Sequence, residues 1–206
     1  MTWDLLDEDC ADISDWVDDD AINGVSEVSP AGQFRMDANT AASTNKASRS
    51  RAISTATTMT VEIKLYHDGI GTEANTDNFL LNVGRDAGGT DVFIRAVFAS
   101  DGLFIHDGTS SNEVGTNLVS VGTWQTWRIL LDFTTPASAT CDVYLDDVLE
   151  AKDVDCSYTT TGLSDGVSIT QLGWTTANRL THIDWIKIKT GLDAPGDDVL
   201  FFGCNF

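Results

Sequence analysis

Gly122-Thr-Trp-Gln-Thr-Trp-Arg-Ile-Leu-Leu-Asp-Phe133 and, after a short polar gap, Cys141-Asp-Val-Tyr-Leu-Asp-Asp-Val-Leu-Glu-Ala151 decide how this chain folds. Trp127, Ile129, Leu131 and Phe133 fall at every second position, and so do Cys141, Val143 and Leu145. Strict alternation places such residues on one face of a strand whose other face meets water. Asp146-Asp147, between Leu145 and Val148, reads as a two-residue hairpin turn. Working outward, Thr58–Tyr66 repeats the pattern: Met59, Val61, Ile63 and Leu65 on one side, Thr60, Glu62, Lys64 and Tyr66 on the other. Ser100-Asp101-Gly102 supplies a second hairpin turn.

Further short apolar runs lie near residues 2–6, 24–28, 33–37, 78–84, 91–98, 103–106, 117–121, 148–152, 166–173 and 181–189, separated by Gly, Asp, Asn, Ser and Thr. Many short strands with dense turns, and few helical segments, predict an all-β, two-sheet antiparallel sandwich. At 206 residues and 42% hydrophobic content, one such domain can bury a substantial core. We expect residues 1–190 to form the sandwich. Residues 191–206, ending Val199-Leu-Phe-Phe-Gly-Cys-Asn-Phe206, form an apolar tail that must be covered by its own domain or by a partner.

The formal charge of −20, from 32 acidic and 12 basic residues, repels phosphate backbones and anionic lipid. Nucleic acid is therefore a poor partner, and no apolar run is long enough for membrane insertion. Divalent cations, basic proteins and saline surroundings suit such a surface. The polar stretch Ala38–Arg51 reads as a loop carrying three basic residues, Lys46, Arg49 and Arg51, a local positive patch fit to meet an acidic neighbour such as a second copy of the chain. Cys10, Cys141, Cys156 and Cys204 are far apart and form no C-x-x-C pair, so zinc is not expected. Cys141 reads as a small buried hydrophobe, and reduced thiols are the default. The opening residues lack the basic start and apolar core of a secretory signal. Either a signal has been removed, or the protein leaves the cell by another route, of which release of a virion by lysis is one.

The order of a strand opened by Trp, a polar gap and a strand-Asp-Asp-strand hairpin resembles the late part of the concanavalin A-like (laminin G-like) jelly roll. Members of that family often read G-x-W followed by D-x-Y-x-D-G, with Asp147 here in place of the usual Gly. Trp3–Trp16 resembles the family's opening, an acidic strand and a D-x-S-x-W turn, and Thr181–Ile188 its closing strand with an Ile-Asp pair. The resemblance implies a concave sheet on which enzymes of the family mount their chemistry. The laminarinase-like E-x-D-x-x-E strand is absent, as are the alginate-lyase Q-x-H and Tyr-Lys-Gly strands. No catalytic residues are therefore expected, and His67, His106 and His182 are read as structural hydrogen-bonding residues.

The resemblance also implies a structural Ca²⁺ between first and last strands, with Asp4, Asp7 and Asp184 at the matching positions; Asp18-Asp19-Asp20 is a weaker candidate. Sugar binding needs exposed rings with polar side chains beside them. Tyr66, Arg95, Tyr144 and Trp174 are the candidates, with Asn82 near, while Trp16, Trp124, Trp127 and Trp185 are expected to fill the core. The functional expectation is a non-catalytic surface module on a virion, as capsid decoration or tail protein with possible glycan adhesion. It would contact other subunits, most simply as a homo-oligomer, through Lys46, Arg49, Arg51, Leu200, Phe201, Phe202 and Phe206. The alternative is a secreted carbohydrate-binding module or lectin of a marine or saline microbe.

Overall fold

Alternation carries through to packing: Met59, Val61, Ile63 and Leu65 are buried, as are Leu131, Ile129 and Trp127 opposite the first three, and Phe133 just beyond them. The computed structural model describes residues 2–21, 23–38, 45–54, 56–69, 79–85, 92–99, 102–106, 111–116, 118–157, 166–173 and 180–196. The strands are β1 (Leu6–Glu8), β2 (Val17–Asp18), β3 (Val25–Val28), β4 (Phe34–Asp37), β5 (Lys46–Arg51), β6 (Thr58–Gly69), β7 (Phe79–Arg85) and β8 (Val92–Ala99). They continue as β9 (Gly102–His106), β10 (Ser111–Thr116), β11 (Trp124–Asp132), β12 (Thr140–Leu145), β13 (Val148–Asp155), β14 (Val167–Leu172) and β15 (Leu180–Thr190). No α-helix occurs among the described residues, and none of the described elements is a helix long and apolar enough to cross a membrane.

Two antiparallel sheets stack as a jelly-roll sandwich. The first runs β13-β12-β11-β6-β15-β4-β3, with β1 also on β15, and the second runs β10-β9-β8-β7-β14-β5-β2. Between them lies one core, whose aromatic centre is Trp127 edge-on to Phe98 at 5.4 Å and Phe98 against Phe79 at 5.7 Å. Each such fully buried ring contributes about 1.5–3 kcal/mol from burial alone. Trp16 meets Phe34 at 5.6 Å and 88°, closing the end of the core beneath the N-terminal segment.

The Asp146-Asp147 hairpin forms as expected, joining Leu145 to Val148. Its backbone answers the question posed by the missing glycine: φ is 48° at Asp146 and 67° at Asp147, the type I′ combination. Asp146 holds the turn by accepting the Thr126 amide at 2.9 Å while its own amide donates to Thr126 O at 2.8 Å. The β8–β9 hairpin pairs Ala99 with Gly102, its two turn residues lying outside the described set.

Three expectations change. Residues 46–51 are a strand of the second sheet rather than loop, paired with β14 from Lys46↔Leu172 to Arg51↔Val167. Residues 118–121 form no strand beyond one parallel bridge from Val121 to His67, and residue 117 lies outside the described residues. The first strand begins at Leu6, later than expected. Gly24 permits the close crossing of β5: a Cβ there would lie 1.9 Å from Lys46 O. Cys10, Cys141 and Cys156 are buried free thiols, and burial pushes the Cys10 thiol up. Beyond β15, Gly191 and Asp193 fold back onto Thr60, whose Oγ1 donates to Gly191 O at 2.7 Å and accepts the Asp193 amide at 3.0 Å. Leu200, Phe201, Phe202, Phe206 and Cys204 lie outside the described residues.

Candidate functional site

The outward face of the first sheet is built in rows, because antiparallel register sets side chains of neighbouring strands side by side. One row runs Trp124 (β11), Tyr66 (β6), His182 (β15), Arg35 (β4) and Glu27 (β3). The next holds Thr126, Lys64 and Trp185. A third runs Tyr144 (β12), Arg128, Glu62, Lys187 and Asp7 (β1). A bulge in β15 between Ile183 and Trp185 inserts Asp184, which accepts from Lys64 Nζ at 2.8 Å.

Within the first row a shallow, open pocket of about 230 Å³ is lined by Pro30, Gln33, Tyr66, Trp124 and His182. Tyr66 and Trp124 are half-buried rings 5.5 Å apart and inclined at 48°; His182 meets Tyr66 edge-on at 6.1 Å. Burial and the charge of Arg35 hold the His182 imidazole below its usual pKa. Behind the pocket, Lys64 Nζ stands 5.4 Å from the Trp124 ring and 4.4 Å from the Trp185 ring, and Lys187 Nζ stands 5.5 Å from Trp185. Trp185 Nε1 donates to Glu62 Oε1 at 3.2 Å, and Glu62 Oε2 accepts from Arg128 Nε at 3.0 Å and its guanidinium NH2 at 2.8 Å. Two tryptophans expected in the core thus belong to the surface. Trp124 is three residues from Trp127, an odd offset that puts it on the opposite face. Trp185 is turned outward across the Asp184 bulge, which alternation alone does not reveal.

Of the expected sugar-contacting residues, Tyr66, Tyr144 and Arg95 do not share one place in the fold. Tyr66 lines the pocket, whereas Tyr144 sits on the same face beside Arg128, two strands from Tyr66. Arg95 belongs to the other sheet, in register with Asn82 and His106. There Asn82 Nδ2 donates to Ser168 Oγ at 3.0 Å and Ser48 shares a hydrogen bond with Thr170 at 2.8 Å, all four buried. Trp174 lies outside the described residues. Signals that mark the pocket in the sequence are Tyr66 on the polar side of β6 and the Trp124–Trp127 offset; Pro30, Gln33 and His182 come together only through strand pairing.

The three carboxylates expected at a calcium site are engaged separately. Asp4 accepts the Thr190 amide at 2.9 Å and its hydroxyl at 2.8 Å, bonds that hold its carboxyl below the usual range. Asp7 faces Lys187 at 3.7 Å and Asp184 faces Lys64. Asp18 pairs with Arg49 at 3.1 Å, Asp19 accepts from Ser50 Oγ, and Asp20 accepts the amides of Ser26 and Ser48. Among the described residues no group of three or more His, Cys, Asp or Glu is placed to hold a metal. Two members of the basic patch, Arg49 and Arg51, are likewise answered within the chain. Arg49 donates to Ser26 Oγ at 2.6 Å as well as meeting Asp18, and Arg51 reaches Glu8 at 2.8 Å and Asp15 at 3.1 Å.

No protein-family model matches this chain, and no curated protein sequence does either. Solved structures do. A sialidase superposes with a TM-score of 0.68 at 10% identity, over 90% of this chain and 18% of the sialidase. The cellulose-induced protein Cip1 gives 0.63 at 12% identity, over 93% of this chain and 100% of Cip1. The carbohydrate recognition domain of Emp46p gives 0.55 at 14%, over 94% and 100%. The likeness is one of fold. Lyases share that fold too, so it does not separate binding from catalysis.

Proposed function

We propose that the chain is a non-catalytic carbohydrate-binding module whose site is the Tyr66–Trp124–His182 pocket. The observation that carries this reading is the pair of half-buried rings lining an open pocket on the outward face of the first sheet. Sugar rings present apolar C–H faces that stack on aromatic side chains, while Gln33 offers a polar wall for hydroxyl groups. The volume of about 230 Å³ suits one sugar ring, below the range of drug-sized sites. A carbohydrate recognition domain among the folds it matches supports the same reading.

Absence of the E-x-D-x-x-E, Q-x-H and Tyr-Lys-Gly strands supports binding over turnover. A glycan array tests the first half: binding should be detectable and should fall with Tyr66→Ala and Trp124→Ala, while silence across all glycans refutes the module. Incubation with polysaccharides tests the second: reducing ends or unsaturated products would overturn the non-catalytic reading. A virion surface is a narrower proposal about location. The chain should then co-sediment with particles, and recovery only as free protein in the medium would favour the secreted alternative.

A further inference from the structure

Resting on that carbohydrate reading, we propose that the pocket takes a neutral, soluble, single-chain polysaccharide, in preference to a polyuronate or a crystalline surface. Shape excludes the crystal face. Rings inclined at 48° cannot both lie against one plane, so Tyr66 and Trp124 form a cradle that follows a twisted or isolated chain.

Charge excludes the polyuronate. A carboxylate-bearing sugar needs a cation that is not already neutralised, since burying an anion without a partner is costly. The two described cations bordering the pocket are both committed. Arg35 is bound to Glu27 at 2.9 Å and to Asp37, and Lys64 is bound to Asp184 at 2.8 Å while lying over the Trp185 ring. An incoming carboxylate would have to displace one of the protein's own, gaining no new ion pair. His182, depressed by burial and by Arg35, is neutral near neutral pH and adds no positive charge. The surrounding charge of −20 then repels a polyanion before it arrives. Neutral hydroxyl groups meet none of these obstacles, and Gln33 and Tyr66 can hydrogen-bond them in either direction or as acceptor and donor.

Affinity electrophoresis of the whole chain through gels holding mixed-linkage β-glucan, glucomannan, xylan, alginate or polygalacturonate tests this, with pull-down on microcrystalline cellulose alongside. We expect retardation by at least one neutral polymer, insensitive to added salt, and weakened about tenfold or more by Trp124→Ala. Trp124→Phe, which keeps a ring, should retain most of the retardation and melt close to the parent, whereas Trp124→Ala also gives up contacts with Tyr66 and Lys64 and is compared below its own melting midpoint. Ring-dependent retardation by alginate or polygalacturonate alone would overturn the neutral-ligand inference and leave the carbohydrate site standing. Ring-dependent capture on crystalline cellulose alone would overturn the cradle argument. No retardation by any polymer overturns both readings, and retardation unchanged in Trp124→Ala overturns the pocket as the site.

Discussion

Lowering the pH should withdraw stability at one buried side chain, His67. It sits between the sheets on the inward face of β6, 5.9 Å from the Phe79 ring and 6.0 Å from the Phe98 ring. Thr181 Oγ1 donates its only hydrogen to Gln171 Oε1 at 2.6 Å, so toward His67 it presents lone pairs. The 2.8 Å contact between His67 Nδ1 and Thr181 Oγ1 therefore requires the proton on Nδ1, leaving Nε2 as a bare acceptor, buried and without a hydrogen-bond partner. Protonating Nε2 would place a charge among aromatic rings, and burial pulls the pKa down from 6.5 to about 3.

The unfolded chain protonates this histidine below its ordinary value while the native state does not. Below about pH 6.5 the unfolded state thus binds the extra proton, and stability falls with pH until the folded pKa is reached. Each pH unit in that window is worth about 1.4 kcal/mol, which gives about 2 kcal/mol lost by pH 5. Carboxylates act in both directions at the acid end of that range, about pH 4 and below. Neutralising some of the 32 acidic residues relieves self-repulsion, while Asp4, Asp12 and Asp132, held down chiefly by hydrogen bonds to Thr190, Ser14 and Thr134, lose stabilisation as they protonate. The informative quantity is therefore the difference between the parent and His67→Gln, which keeps a donor for Thr181 and cannot titrate. In urea melts at pH near 7.5 the variant should be the less stable, having lost ring packing. By about pH 5 the gap should shrink, or reverse, by about 2 kcal/mol. A gap constant across that range would show that His67 titrates equally in both states, and the buried-tautomer argument would fail.

Other expectations are more local. Glu8, buried on the inward side of β1, accepts from Cys10 N at 2.9 Å, Trp16 Nε1 at 3.0 Å and Arg51 at 2.8 Å. Glu8→Ala leaves the Cys10 amide and Trp16 Nε1 without their acceptor, while Arg51 keeps Asp15, and should cost about 2–5 kcal/mol in urea denaturation; a loss below about 1 kcal/mol would mean that water replaces the carboxylate freely. Asp147→Gly should stabilise by up to about 1 kcal/mol, since glycine adopts a φ of 67° without strain and the exposed Arg128 contact at 3.5 Å is worth little. Destabilisation on calorimetric or chemical melting would refute that. Chelator should leave the thermal midpoint unchanged, given the separate engagement of Asp4, Asp7 and Asp184; a rise on adding Ca²⁺ would reveal a site these contacts do not describe.

How much of this was legible depended on whether the signal was apolar. Strands β6, β11 and β12 announce themselves because a sheet with one buried face must alternate, and Trp127 is placed by the same parity that expels Trp124. Lys46-Ala-Ser-Arg-Ser-Arg51 has no apolar alternation, and it is a strand because β14 pairs with it and Asp18, Asp19 and Asp20 receive its side chains and amides. Such a strand is specified by groups elsewhere in the chain, which local periodicity cannot register. The pocket stands between these cases. Its two rings follow from strand parity, while Pro30, Gln33 and His182 arrive from β15 and the β3–β4 connection. The expectation that Trp124 and Trp185 fill the core failed for a related reason: alternation says which face a tryptophan takes but not whether that face is covered. Sheet order decides the latter, since only the outward side of β6, β11 and β15 brings Tyr66, Trp124 and Trp185 together. The ion pairs beside those rings turn several of an acidic chain's few cations into structural groups, and on the proposed reading stacking, rather than charge, would then select the ligand.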